Sequence, residues 1–194
     1  MNLSMDGAPG VDFKSGAQRA RVITESWGEH NLYCPNCTSP ILCGRDDAEG
    51  GLDCPRCGST FRLIAQKTRP GHSIANGPYP ALLRAIRRGE APGYFCLHYE
   101  IVPPLGGEKV RNIVDGTWVV HNLLLVPGNA LTPEAIQKGP DGAGCRILLD
   151  VLPPEARIPM VTTIKSPSSE GDTECIMISR PEEVREKFKQ FRAV

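Results

Sequence analysis

Cys34-Pro-Asn-Cys37 and Cys54-Pro-Arg-Cys57 are two Cys-x-x-Cys knuckles with sixteen residues between the inner cysteines. That spacing is the one expected of a zinc ribbon. Zinc takes four tetrahedral ligands, and soft thiolates suit it. Proline follows the first cysteine of each pair and Gly58 follows the second knuckle. Both favour the tight turns that aim two sulfurs at one ion. A structural zinc site on Cys34, Cys37, Cys54 and Cys57 is therefore expected, against the alternatives of disulfides or a redox dithiol. It implies a reducing compartment, and a cytoplasmic protein. Cys43, Cys96, Cys145 and Cys175 remain and are expected reduced, mostly in apolar surroundings; Cys43 lacks a partner at knuckle spacing.

Outward from the ribbon (residues 32–58), 194 residues make one domain with a zinc-held subdomain. Hydrophobic and charged fractions of 40% and 23% are those of a soluble globular chain. Residues 1–14 read as a flexible tail and hold no apolar run for a signal peptide. Trp118–Val126 is too short to span a bilayer, so no membrane association is expected. Formal net charge is zero, which argues against strong nonspecific nucleic-acid binding. Residues 60–90 nevertheless carry Arg62, Lys67, Arg69, Arg84, Arg87 and Arg88 against Glu90 alone, a net of +5. That bias makes either a phosphate-binding face or a solvated surface.

The apolar pattern predicts a helix from Ser15 to about Trp27 and a strand at Thr60–Lys67. Phe61, Leu63 and Ala65 share one face of that strand, with Arg62, Ile64 and Gln66 on the other. A loop is expected over Arg69–Gly77. A helix should run from Pro80 to Arg88 with Gly89 as its stop. Strands follow at Tyr94–Val102, Trp118–Val126, Cys145–Val151 and Cys175–Ser179. A short helix opens at Thr132-Pro133, and a terminal helix spans Pro181–Phe191. Polar or Gly-rich connections are expected at Gly44–Gly51, Pro104–Gly116 and Lys138–Gly144, with a turn at Pro167–Asp172. Alternating elements suggest an α/β core with a mixed sheet.

Ser15-Gly-Ala-Gln-Arg-Ala-Arg-Val-Ile-Thr-Glu-Ser-Trp27, Tyr33-Cys-Pro-Asn-Cys37, Ile74-Ala-Asn-Gly-Pro-Tyr79, Leu123-Leu-Leu-Val-Pro127, Gly144-Cys145 and the terminal Pro181–Gln190 run occur in one order. Together they resemble the catalytic domain of the DpnI-type (dam-replacing) methyl-directed restriction endonucleases. The resemblance covers about Ser15 to Gln190. It implies a PD-(D/E)XK restriction-endonuclease-like core with a mixed sheet and an inserted zinc ribbon, spanning 15–194. It implies action on DNA at GATC sites bearing N6-methyladenine. The family's C-terminal winged helix is expected to be absent.

At the family's catalytic positions this sequence departs. The metal-binding aspartate corresponds to Gly51, and the Glu-x-Lys pair to Arg62 and Ile64. Two carboxylates are what hold Mg²⁺ in such nucleases; a guanidinium would repel the ion, and isoleucine cannot move a proton. A pseudo-nuclease that binds DNA is the first expectation. Its phosphate contacts would come from Arg62, Lys67, Arg69, Arg84, Arg87 and Arg88, with His72 and Asn76 beside them. The alternatives are an active endonuclease using Mg²⁺ at a displaced site drawn from Glu25, Asp53, Gln66 and Lys67, and a non-enzymatic module with a protein partner. In the family a basic, Trp-containing loop precedes the Gly-Cys strand; here Gly142 stands at the aromatic position, which removes a stacking surface. Trp118, heading an apolar strand, is expected in the core.

Overall fold

The structure is a computed structural model describing residues 1–45, 51–103, 116–140, 142, 144–168 and 171–192. The strands are β1 (Ser4–Met5), β2 (Cys43–Gly44), β3 (Gly51–Asp53), β4 (Thr60–Gln66), β5 (Ser73–Pro78), β6 (Gly93–Val102), β7 (Thr117–Val126), β8 (Ile136–Lys138), β9 (Gly144–Leu148), β10 (Ile158–Ser168) and β11 (Gly171–Ile178). The helices are α1 (Gly16–Asn31), α2 (Tyr79–Arg88) and α3 (Pro181–Lys189). The main sheet runs β11-β10-β7-β6-β4-β3-β2, with β1 on β7; a second sheet runs β5-β9-β8. The β4–β6 pairing is parallel and its neighbours are antiparallel. This is a mixed α/β fold, mostly β, with three α-helices among the described residues.

β4 decides the two-sided packing. Phe61 and Leu63 enter a core with Ile23, Trp27, Leu52, Phe95 and Trp118. Ile64, on the other face, packs with Ile74, Leu82, Tyr94 and Ile147. Gly28 brings α1 so close that a Cβ there would lie 3.0 Å from Leu63 Cδ2. The Leu52–Leu63 face of the sheet therefore belongs to α1, and the opposite face to α2 and the second sheet. α2 ends as the sequence predicts, with Gly89 left-handed at φ 70°. Leu82 is buried while Arg84, Arg87 and Arg88 stay exposed. Trp118 is 1% exposed and stacks on Tyr99 at 4.9 Å, as a core residue should.

Three expectations change, and one strand was not anticipated. The first residues pack instead of trailing: Met5 is buried, Trp27 Nε1 donates to the Asn2 carbonyl at 2.7 Å, and the Val120 N–H donates to Leu3. Segment 69–77 is a loop only to His72, because β5 pairs with β9 from Ser73 onward. Cys145–Val151 is a strand only to Leu148, followed by a 3₁₀ turn at Leu149–Val151. The long β10 was not legible, since Pro159 interrupts its apolar pattern at a register shift. The polar stretch 46–50, residues 104–115, Asp141 and Ala143 of the Gly-rich loop, and 169–170 of the expected turn lie outside the described residues.

Candidate metal centre and nucleic-acid face

Each knuckle closes on the same bond: the Cys34 N–H donates to the Ser39 carbonyl at 3.2 Å and the Cys54 N–H to Ser59 at 2.9 Å. Gly58 takes φ 70°, the left-handed turn residue of the second knuckle. The four sulfurs converge within 4.8 Å of one another. Cys34–Cys57 and Cys37–Cys54 are 3.6 and 3.5 Å apart. A tetrahedral zinc with sulfurs at about 2.3 Å would separate them by about 3.8 Å. The donor set and spacing therefore fit one metal ion such as zinc. Burial opposes the Cys57 thiolate, but the Ser59 hydroxyl and N–H and the neighbouring thiols outweigh it and bring Cys57 to about 6. Burial pushes Cys34 up and also raises Cys37. The terminal helix clasps this centre: Arg185 lies over the Tyr33 ring at 5.0 Å and donates from Nε to the Cys34 carbonyl at 3.3 Å. Cys43 is exposed and outside the quartet; Cys96 and Cys145 are buried, and Cys175 is exposed.

On the sheet face away from α1, Gly51 pairs directly with Arg62, and Arg62 with Tyr94. Ile64 is two residues on, and so shares that face. The second sheet closes over it. Asn76 Nδ2 donates to the Tyr94 hydroxyl at 3.2 Å and lies 3.9 Å from Cys145 Sγ, which donates to the Gly77 carbonyl at 3.3 Å. Burial pushes Tyr94 up to about 12 while the Arg62 charge pulls it down; Cys145 is likewise raised by burial. The three positions of interest thus form one patch, ringed by Asn76, Tyr94 and Cys145.

The four displaced-site candidates are not brought together. Asp53 pairs with Thr60, at the start of β4, and Gln66 ends it. Six residues of strand separate them by about 20 Å. Glu25 lies on α1, against the opposite face, and is held by Arg21 at 2.6 Å. Lys67 is exposed beyond the strand. Asp53 is 3.6 Å from Arg45, and its Oδ1 is buried without a hydrogen-bond partner.

Of the basic candidates, Lys67, Arg69, Arg84, Arg87 and Arg88 are exposed, and Arg62 is half-buried. His72 is exposed and its Nδ1 meets Asp150, while Asn76 points inward rather than into an open loop. Sequence reasoning missed Arg146, exposed on β9 opposite Ala75, with Nε donating to Ser73 at 2.8 Å. No local pattern marks it; it lies between inward-facing Cys145 and Ile147, and so on the outer face of the second sheet.

The family comparison decides the rest. The DpnI model, described as the Dam-replacing family, matches residues 1–193. The chain belongs to the DpnI family. DpnI-family membership carries with it a restriction-endonuclease-like, DNA-acting character, and the cysteine quartet adds a site able to hold a metal. No helix among the described residues is long and apolar enough to cross a membrane.

A polar cluster further along the same face was also missed. His98 Nε2 and His121 Nε2 lie 3.8 and 3.6 Å from the two Glu100 oxygens. Asn122 sits 3.0 Å from His98 Nδ1. Burial holds His98 below its ordinary value; Glu100 pulls it up, and His121 and Arg69 press it down. As pH falls through about 6.5 the unfolded chain takes up this proton before the folded one does. Stability should therefore fall from about pH 6.5 downward and level off below the folded value. Urea midpoints at pH 7.5 and pH 5 would register the drop, and His98→Gln should shrink it.

Proposed function

We propose that this DpnI-family protein is a zinc-containing DNA-binding pseudo-nuclease on a PD-(D/E)XK-type core. One observation carries the reading: Arg62 stands directly opposite Gly51, with Ile64 beside it, at the positions where the family resemblance calls for two carboxylates and a lysine. A guanidinium there can donate hydrogen bonds to a phosphate oxygen in place of the cation. The α2 crossover between parallel β4 and β6 fits the proposed core. Zinc on Cys34, Cys37, Cys54 and Cys57 would anchor the ribbon as a structural ion.

In this reading Arg62 faces the backbone at the former cleavage point. Lys67 and Arg69 add contacts beyond the end of β4, and Arg84, Arg87 and Arg88 add contacts from α2. Such contacts position DNA without reading its sequence. Whether N6-methylated GATC is preferred depends on groups other than an aromatic at Gly142. Filter binding against salt tests the electrostatics. Six phosphate contacts predict a loss on the order of 10³ in affinity between 50 and 200 mM salt. Arg62→Ala should flatten the slope by about one contact. A flat slope would point instead to a module that binds protein.

A further inference from the structure

A cavity of about 350 Å³ opens on the same sheet face, two residues along β6 from Tyr94. That step is about 7 Å. Its walls include Cys96, Leu124 and Pro159, with Asn122, Thr162 and Arg69 as the polar groups. Small-molecule sites have this size, mostly apolar walls and few polar groups, about 300–1,000 Å³. Leu124 and Pro159 stay partly exposed, although their strands lie well inside the main sheet.

Asn122 is held in one orientation. Its Oδ1 accepts from the Thr163 N–H at 3.2 Å, so its Nδ2 is the atom facing His98 Nδ1 at 3.0 Å. A side-chain amide has two donor hydrogens and two acceptor lone pairs. One of each is used, leaving one donor and one acceptor side by side. That pair matches the adjacent acceptor and donor on the edge of adenine, the base that asparagine grips with two bonds. Leu124 and Pro159 offer apolar surface to a flat ring, and Arg69 brings a charge suited to a 5′-phosphate.

We propose that this cavity binds an adenine base, with its ring between the apolar walls, its edge on Asn122 and its phosphate on Arg69. The base could arrive as a free nucleotide or swung out of a DNA strand; the chemistry of the site is the same. Extrusion is the route by which proteins reach a base that a duplex hides.

Calorimetric titration of the full chain with dAMP, deoxyadenosine and dTMP tests this without DNA, and so separately from the pseudo-nuclease reading. Saturable dAMP binding is expected, about tenfold tighter than dTMP. Arg69→Ala should reduce dAMP to the affinity of deoxyadenosine. Leu124→Trp, which fills the cavity, should abolish binding of both. A duplex with 2-aminopurine stacked next to a target adenine then separates the sources. Fluorescence that rises on binding, and fails to rise with Leu124→Trp, identifies an extruded base. Steady fluorescence alongside dAMP binding identifies a free nucleotide. Absence of dAMP binding, equal affinity for dTMP, or indifference to both Leu124→Trp and Arg69→Ala overturns the proposal.

Discussion

Cys54→Ser is expected to unfold the ribbon and to take part of the main core with it. Cys54 and Cys34 are 2% and 0% exposed and belong to the same cluster as Leu32, Leu42, Leu52 and Phe61. The sulfurs thus tie the ribbon to the sheet rather than to an independent knob. Structural zinc sites contribute on the order of 10 kcal/mol to folding. That exceeds or equals the whole stability of many domains, about 5–15 kcal/mol. Chelation at neutral pH should reproduce the effect on the parent protein. Cys43→Ser is the control, since Cys43 is exposed and outside the quartet. Circular dichroism with metal content by colorimetric release would read both. An unchanged melting transition in metal-free Cys54→Ser protein would reduce the quartet to ordinary core cysteines.

The second large effect is a gain. Gly51→Asp, Arg62→Glu and Ile64→Lys together should produce Mg²⁺-dependent nicking where the parent gives none. The register is the reason. Directly paired residues place their side chains on one face with Cα atoms about 4.5–5.5 Å apart, close enough for two carboxylates to share an ion. A lysine at 64 would follow on that same face. Gly51 is buried, so an uncompensated carboxylate there would be costly. The variant should therefore melt higher with Mg²⁺ than without, a readout independent of cleavage. Arg62→Glu with Ile64→Lys alone should bind the ion poorly. A triple variant that folds and binds DNA, yet shows neither Mg²⁺ stabilisation nor nicking, would mean this face is not a nuclease frame.

Much of this was legible because it is local. The knuckle spacing anticipates the sulfur cluster, and the alternation of Phe61, Arg62, Leu63 and Ile64 gives the two faces of β4 directly. α2 and α3 announce themselves by proline at the start and apolar residues at helical spacing. What escaped depends on pairing partners far away in the chain. Ile74-Ala-Asn-Gly-Pro78 reads as a loop, because glycine and proline punctuate it; β9 makes it a strand, with a register shift between Asn76 and Pro78. Ser4–Met5 is too short to carry a period. His98, His121 and Asn122 share a face only because β6 and β7 shift register between His98 and Tyr99, which periodicity cannot foresee. The displaced-site candidates fail for the same kind of reason: Asp53, at the end of β3, pairs with the start of β4, while Gln66 lies at its far end.

The central claim is DNA binding without cleavage. A gel-shift series with zinc-loaded protein and unmethylated, hemimethylated and fully N6-methylated GATC duplexes in Mg²⁺ tests it most directly, since the same lanes report shifted and cut DNA. The account predicts shifted, uncut duplex in every lane that binds. Cut methylated DNA would contradict it, and would mean that an active site survives without carboxylates at positions 51 and 62.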